Sequence, residues 1–222
     1  MKKNLYGLAK YLWPINRSLT GKGNRLTLNI LKKVNPKLKI KKVKSNTRIS
    51  DWVIPLEWNV KDAYIQNIRK EKILDFKENN LHLMGYSIPF EGKLSFKELE
   101  KKIKYIRSKP NTIPYTTSYY KKNWSFNMTY NSFKKMKKNE DYFVKIDSKF
   151  SKGFMNYGEI YLPGKLKKEI LFSTYICHPS MANNELSGPV VSIFLSKWLS
   201  KKKNYYSYRF LFIPETIGSI YY

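Results

Sequence analysis

The stretch from Glu169 to Ile213 constrains the fold of this chain most. Glu169–Ile176 is an almost wholly apolar run of strand length, and Tyr208–Ile213 is a second. Between them Val190–Leu199 has the length and apolar content of a helix, entered through Ser187-Gly188-Pro189, where proline suits a first helical turn. Strand, loop, helix and strand in that order make a βαβ unit, whose strands pair in parallel. Apolar runs of this kind are expected to be buried on both faces of a sheet. The fold class is therefore α/β.

The rest of the chain changes texture twice. Leu5, Leu8, Leu12 and Trp13 stand at helical spacing over residues 1–13, and Pro14 ends that helix. A second helix is expected near Asn24–Val34, after the turn Ser18-Leu19-Thr20-Gly21-Lys22-Gly23 and before Pro36. Leu38, Ile40 and Val43 then alternate with lysines as a strand. Between Trp52 and Tyr130, short β-prone pieces (Asp51–Pro55, Ala63–Ile68, Lys72–Asp75, Leu81–Tyr86) are separated by Asn, Gly and Pro. A helix is expected over Ser95–Ile106, with Ser95 as cap and Glu98 three residues on. Strands at Phe143–Asp147 and Gly158–Leu162 lead back to the βαβ unit. The expected division is a core over 1–48 and 135–222, interrupted by a small, mostly β domain over 49–134.

Composition removes several functions. Lys+Arg 43 against Asp+Glu 16 gives a net charge of +27, yet 42% of residues are hydrophobic, enough to bury a core and exclude a disordered basic tail. Arginine occurs only at Arg17, Arg25, Arg48, Arg69, Arg107 and Arg209. Readers of bases and phosphates favour the arginine fork, and the lysine runs here are scattered. Solvated lysine faces are the expected reading, and nucleic-acid binding the weaker one. No run reaches the length of a membrane span or a signal peptide. With one cysteine, Cys177, a disulfide framework is excluded and a cytoplasmic location is expected.

In an open α/β sheet, ligands sit in the loops at the carboxyl ends of the strands. Here those loops are Cys177–Gly188 and Pro214–Ser219. His178 and Glu215, at the ends of two neighbouring strands, can converge on one metal or one water, imidazole and carboxylate both being suitable donors. From spacing alone this is only suggestive, since either residue is also compatible with a surface loop. Cys177 is expected to be a buried small hydrophobe, His82 a half-exposed strand residue, and Gly21-Lys22-Gly23 a plain turn. Ser180 and Ser187 lack the glycine-flanked elbow of a serine hydrolase. The aromatic stretch Tyr115–Trp124 is expected to pack the small domain against the core, or to wall a cleft.

The loop CHPSMANNELSG resembles that of zinc-dependent aminopeptidases, roughly H-x-D followed by A-N-D-N-x-S-G. PLEWNVKDAYI, NNLHLMGYS, YTTSYYKKNW, YGEIYLPG, STYICHPSMANNELSGP and FIPETIGS together resemble an uncharacterised bacterial family. That family has an aminopeptidase-like core, a small domain inserted early and a C-terminal winged helix. The resemblance implies a mixed sheet flanked by helices and one or two zinc ions. It makes His178 the first ligand and Asn184 the occupant of the position of a metal-bridging aspartate. Glu215 becomes a strand-end ligand or the general base, and Ser180 stands where an aspartate orients the first histidine. It also implies that a further Asp, a further His and the winged helix lie beyond Tyr222. Truncation is then the expected explanation, and a partly exposed sheet face the expected consequence, with poor solubility or an obligate partner. The implied reaction is metal-assisted hydrolysis of a peptide or related amide. The alternatives are an inactive or non-catalytic binding module, and a basic nucleic-acid-associated protein.

Overall fold

The computed structural model describes residues 4–222. It divides into two compact units, Met1–Glu57 with Ser151–Tyr222, and Trp58–Phe150. In chain order the elements begin with α1 (Leu5–Leu12), α2 (Lys22–Val34), β1 (Lys39–Lys44) and a tight pair, β2 (Arg48–Ile49) and β3 (Trp52–Val53). Next come β4 (Glu57–Gln66), β5 (Lys72–Asp75), β6 (Phe90–Ser95), α3 (Phe96–Leu99), β7 (Ile103–Lys104), β8 (Phe126–Asn127), α4 (Tyr130–Lys134) and β9 (Asp141–Ser151). The chain closes with β10 (Phe154–Leu162), β11 (Leu166–Tyr175), α5 (Ser187–Leu199), β12 (Tyr206–Ile213) and α6 (Ile217–Tyr221). The helix expected over residues 1–13 is α1, capped by the Asn4 side chain, which accepts the Gly7 N–H at 2.7 Å. Positions 1–3 lie outside the described residues.

The first unit is built on a four-stranded sheet in the order β1-β10-β12-β11. β10 runs antiparallel to β1 and β12, while β11 and β12 are parallel, with Phe172 opposite Phe210 and Tyr175 opposite Ile213. That parallel pair and α5 are the expected βαβ unit. The amphipathic helices α1 and α2 and the more uniformly apolar α5 cover one face, where Leu8, Leu12, Leu28, Leu31 and Ile193 meet Ile160, Phe210 and Phe212 in one core. Glu57 pairs with Arg25 and accepts the Phe154 N–H at 2.9 Å, so the two chain segments of this unit are fastened where the chain leaves and returns.

The turn into α2 depends on close backbone approach. A Cβ on Gly23 would lie 1.9 Å from the Asn16 carbonyl oxygen, a contact with backbone that no side-chain rotation relieves. Gly23→Ala is expected to cost at least about 1–3 kcal/mol, as overpacking does, and to lower the urea midpoint with an unchanged m-value.

β11 corrects one expectation. It is the sheet's edge strand among the described residues, not a strand buried on both faces. Leu171 is 57% exposed, and Ile170 and Tyr175 are also exposed. Leu171 and Tyr175 alternate with Phe172 onto the face that the helices leave uncovered, where Leu171 lies opposite Arg209. The sheet face away from α5 carries an ionic chain instead of a core: Lys41 and Arg209 both pair with Glu159, and Arg209 also pairs with Glu169 at 2.6 Å. The Tyr222 hydroxyl donates to Glu159 at 2.7 Å.

The second unit contains a sheet in the order β5-β4-β9-β6 and the short parallel pair β7 and β8. Ser95 and Glu98 form the expected reciprocal cap, but the helix they start is four residues long, followed by one 3₁₀ turn. Ile103 is drawn into pairing with Phe126, and this tertiary contact overrides the helical spacing of Phe96, Leu99 and Ile103. The strand expected over Leu81–Tyr86 is a 3₁₀ turn, Asn80–His82, started by the Asn79 side chain, with single bridges at Leu83 and Gly85. His82 is thus a turn residue whose Nδ1 bonds the Asn127 carbonyl at 2.8 Å. The aromatic stretch packs within its own unit: Trp124 stacks on Phe90 at 4.5 Å, and Tyr119 meets Tyr86 edge-on at 5.4 Å. Among the described residues no helix is long and apolar enough to cross a membrane.

Candidate functional site

Because β11 and β12 are parallel neighbours, their carboxyl ends deliver two loops to one place. His178 and Glu215 meet there, with His178 Nε2 3.0 Å from Glu215 Oε2. His178 is buried, whereas the Glu215 side chain is 41% exposed and open to solvent. The loops are tied together by the Glu215 N–H, which donates to Cys177 Sγ at 3.1 Å. Burial pushes the Cys177 thiol well above its ordinary pKa, with Glu185 adding to the rise. It is a protonated, inaccessible group, as expected for a small hydrophobe.

A wide turn brings in a residue that sequence reasoning missed. Over Ala182–Leu186 the backbone makes one π turn, in which the Met181 carbonyl accepts from both Glu185 and Leu186. The extra residue swings Glu185 inward until it is fully buried. Its carboxylate faces His178 twice: Oε1 accepts the His178 backbone N–H at 2.8 Å, and Oε2 lies 3.0 Å from ring Nδ1. Cys177, His178 and Glu185 form a compact buried group of potential metal donors. A signal was available, since Glu185 is the single acidic residue between Glu169 and Glu215 in a chain poor in acids.

Arg17 completes the buried side. Its Nε donates to the His178 carbonyl at 3.0 Å and Nη1 to the Leu12 carbonyl at 2.7 Å. Burial lowers its pKa to about 10, opposed by attraction to Glu185 and Cys177, so it remains cationic at neutral pH. Arg17 thereby balances the Glu185 charge inside the protein.

Ser180 is engaged elsewhere. Ser180 sits at φ 43° with its hydroxyl donating to the Trp13 carbonyl at 2.9 Å. That contact pins the loop to the end of α1, and Glu185 is the side chain bonded to His178 Nδ1. Asn184 is exposed on the π turn. Beyond Glu215, Thr216 adopts φ 57°, ψ −81°, a strained backbone for a β-branched residue. Such strain persists only where surrounding contacts over-determine it, and here it adjoins the one solvent-facing carboxylate of the cluster.

A family described as a domain of unknown function, DUF4910, matches residues 6–222. The chain belongs to this family. A protein of Clostridium acetobutylicum, named as a polysaccharide biosynthesis protein with an aminopeptidase-like domain, is 51% identical over 216 residues, 97% of this chain and 49% of that protein. The chain thus spans about half the length of this relative. A solved structure described as a peptidase from the same organism superposes with a TM-score of 0.93 at 51% identity, over 97% of this chain and 51% of that one. A zinc aminopeptidase from Bacillus subtilis superposes with a TM-score of 0.59 at 11% identity, over 98% of this chain and 63% of that one. The fold of this DUF4910 chain is therefore aminopeptidase-like, with its sheet flanked by helices. At that identity the likeness to the zinc enzyme concerns the fold alone.

Proposed function

We propose that this DUF4910 chain carries part of the site of a zinc-dependent hydrolase acting on a peptide or related amide bond. The observation that supports it is the approach of His178 Nε2 to Glu215 Oε2 at adjacent strand ends. Two acceptor atoms 3.0 Å apart need a proton or a cation between them. An imidazole nitrogen and a carboxylate oxygen bound to one zinc at usual bond lengths sit roughly 3 Å apart, so the donors fit. His178 and Glu215 would hold the ion, with Asn184 as a neutral third donor from the π turn. Zinc there supplies a Lewis acid and acidifies a bound water. In the alternative role, the part-exposed Glu215 carboxylate takes a proton from a water at the open side, while buried Cys177 and Ile176, next to His178 in the chain, exclude solvent there. The relative's name, joining polysaccharide biosynthesis to an aminopeptidase-like domain, favours an acylated amino sugar or amino-acid conjugate beside a free peptide. We read Trp58–Phe150 as an inserted domain, and the reducing cytoplasm as the compartment of the free Cys177.

The test is zinc titration followed by amide hydrolysis of N-terminal aminoacyl and N-acyl amino sugar substrates. Tight, roughly stoichiometric zinc with turnover on either class supports the proposal. Loss of both sinks it and favours the second reading, a non-catalytic binding module. That alternative draws on the same contact, because His178 and Glu215 satisfy each other when a proton lies between them.

A further inference from the structure

We infer that Glu185 is the positioning residue of this site: it holds the proton of His178 on Nδ1, so that the Nε2 lone pair points at Glu215. The functional weight of this inference rests on the zinc reading, but the proton's location does not. The resemblance assigns the orienting role to position 180, and Ser180 is engaged elsewhere, with the Trp13 carbonyl. Glu185 reaches His178 from the other end of the loop, and only because the π turn places it there. Its two oxygens meet two nitrogens of one residue, the backbone N at 2.8 Å and ring Nδ1 at 3.0 Å. The backbone N–H fixes one oxygen as an acceptor, so the other faces the ring beside it, and the pairing places the hydrogen on Nδ1. A free imidazole prefers its proton on Nε2, so this arrangement reverses the ring's own preference and frees the nitrogen nearer Glu215.

Glutamine at 185 separates position from charge. Its amide oxygen accepts the His178 backbone N–H, which leaves its NH₂ group aimed at Nδ1. That geometry demands a lone pair on Nδ1 and moves the proton to Nε2, where it blocks a metal. The chain has two histidines, so ¹⁵N-histidine labelling gives a spectrum of two rings. His82, whose Nδ1 bonds a carbonyl oxygen, serves as an internal Nδ1–H reference. Spectra are recorded without metal in a Glu215→Ala background, where the competing carboxylate is gone, at mildly alkaline pH. The expected result is Nδ1–H for His178 with Glu185 and Nε2–H with Glu185→Gln. An Nε2–H ring with Glu185 present, or an unchanged ring in Glu185→Gln, overturns the inference. With Glu215 restored, Glu185→Gln is expected to weaken zinc about 10–100-fold in chelator competition, as loss of a ligand's supporting hydrogen bond does. Glu185→Asp, which keeps the charge, is expected to retain Nδ1–H and recover part of the affinity, and it replaces the glutamine variant if that fails to fold. Unchanged zinc affinity alongside a flipped ring overturns the positioning role. A parent that binds no zinc removes the hydrolase reading, while the ring spectra still decide where Glu185 puts the proton.

Discussion

Glu215→Ala is expected to abolish measurable amide hydrolysis, at least about a hundredfold in kcat/KM, while leaving the fold intact. The size follows from the role proposed for it: a general base at a reacting water is worth roughly 10²–10⁴-fold. The fold should survive because the Glu215 side chain is 41% exposed and its backbone N–H still reaches Cys177 Sγ. His178 loses one partner but keeps Glu185 on the opposite nitrogen. A melting curve within about 1 kcal/mol of the parent is therefore part of the expected result, in line with exposed substitutions. Glu215→Gln divides the two roles this carboxylate can play. If Glu215 is a ligand, zinc affinity falls along with turnover; if it is the base, zinc stays and kcat alone collapses. Hydrolysis undiminished in both variants would remove Glu215 from the chemistry.

How much of this was legible in the sequence depends on how local the physics is. The βαβ unit is legible because both strands and α5 carry their own apolar patterns, and a right-handed crossover then fixes the parallel pairing. The strand-end rule, applied to that unit, predicts that His178 and Glu215 share one end of the sheet. Which face a layer covers is not legible: Leu171 and Phe212 look alike in a sequence, and only the register shows that Leu171 shares the uncovered face with Arg209 while Phe212 lies in the core. Glu185 shows the same limit inside the site. A π turn has no sequence signature of its own, so the inward rotation of one residue in NNEL leaves no trace in the sequence. In the second unit, Ser95 and Glu98 cap as their spacing dictates, because a capping box is complete within four residues. The helix they begin is cut short by a partner strand some twenty residues later, which no local rule anticipates.

The ionic chain on the sheet face leads to the second large effect. Burial alone would raise the Glu159 pKa, but hydrogen bonds from Lys41, Tyr222 and Arg209 outweigh it and hold the carboxyl at about 2. A carboxylate whose pKa is depressed on folding contributes stability that is complete above its unfolded pKa and is lost as pH falls through the folded one. Discounted for the solvent that screens Lys41 and Arg209, Glu159 should therefore add about 1–3 kcal/mol near neutrality, eroding between about pH 4.5 and about pH 2. Glu159→Gln keeps the shape and removes the charge, leaving Lys41 and Arg209 side by side with one acid, Glu169, on the far side of Arg209. The expected outcome is a variant about 1–3 kcal/mol less stable than the parent at neutral pH, with the two urea curves converging as the pH approaches 2. The convergence is the decisive part. A variant that stays less stable by the same amount at every pH would mean that Glu159 acts through packing and not through its charge.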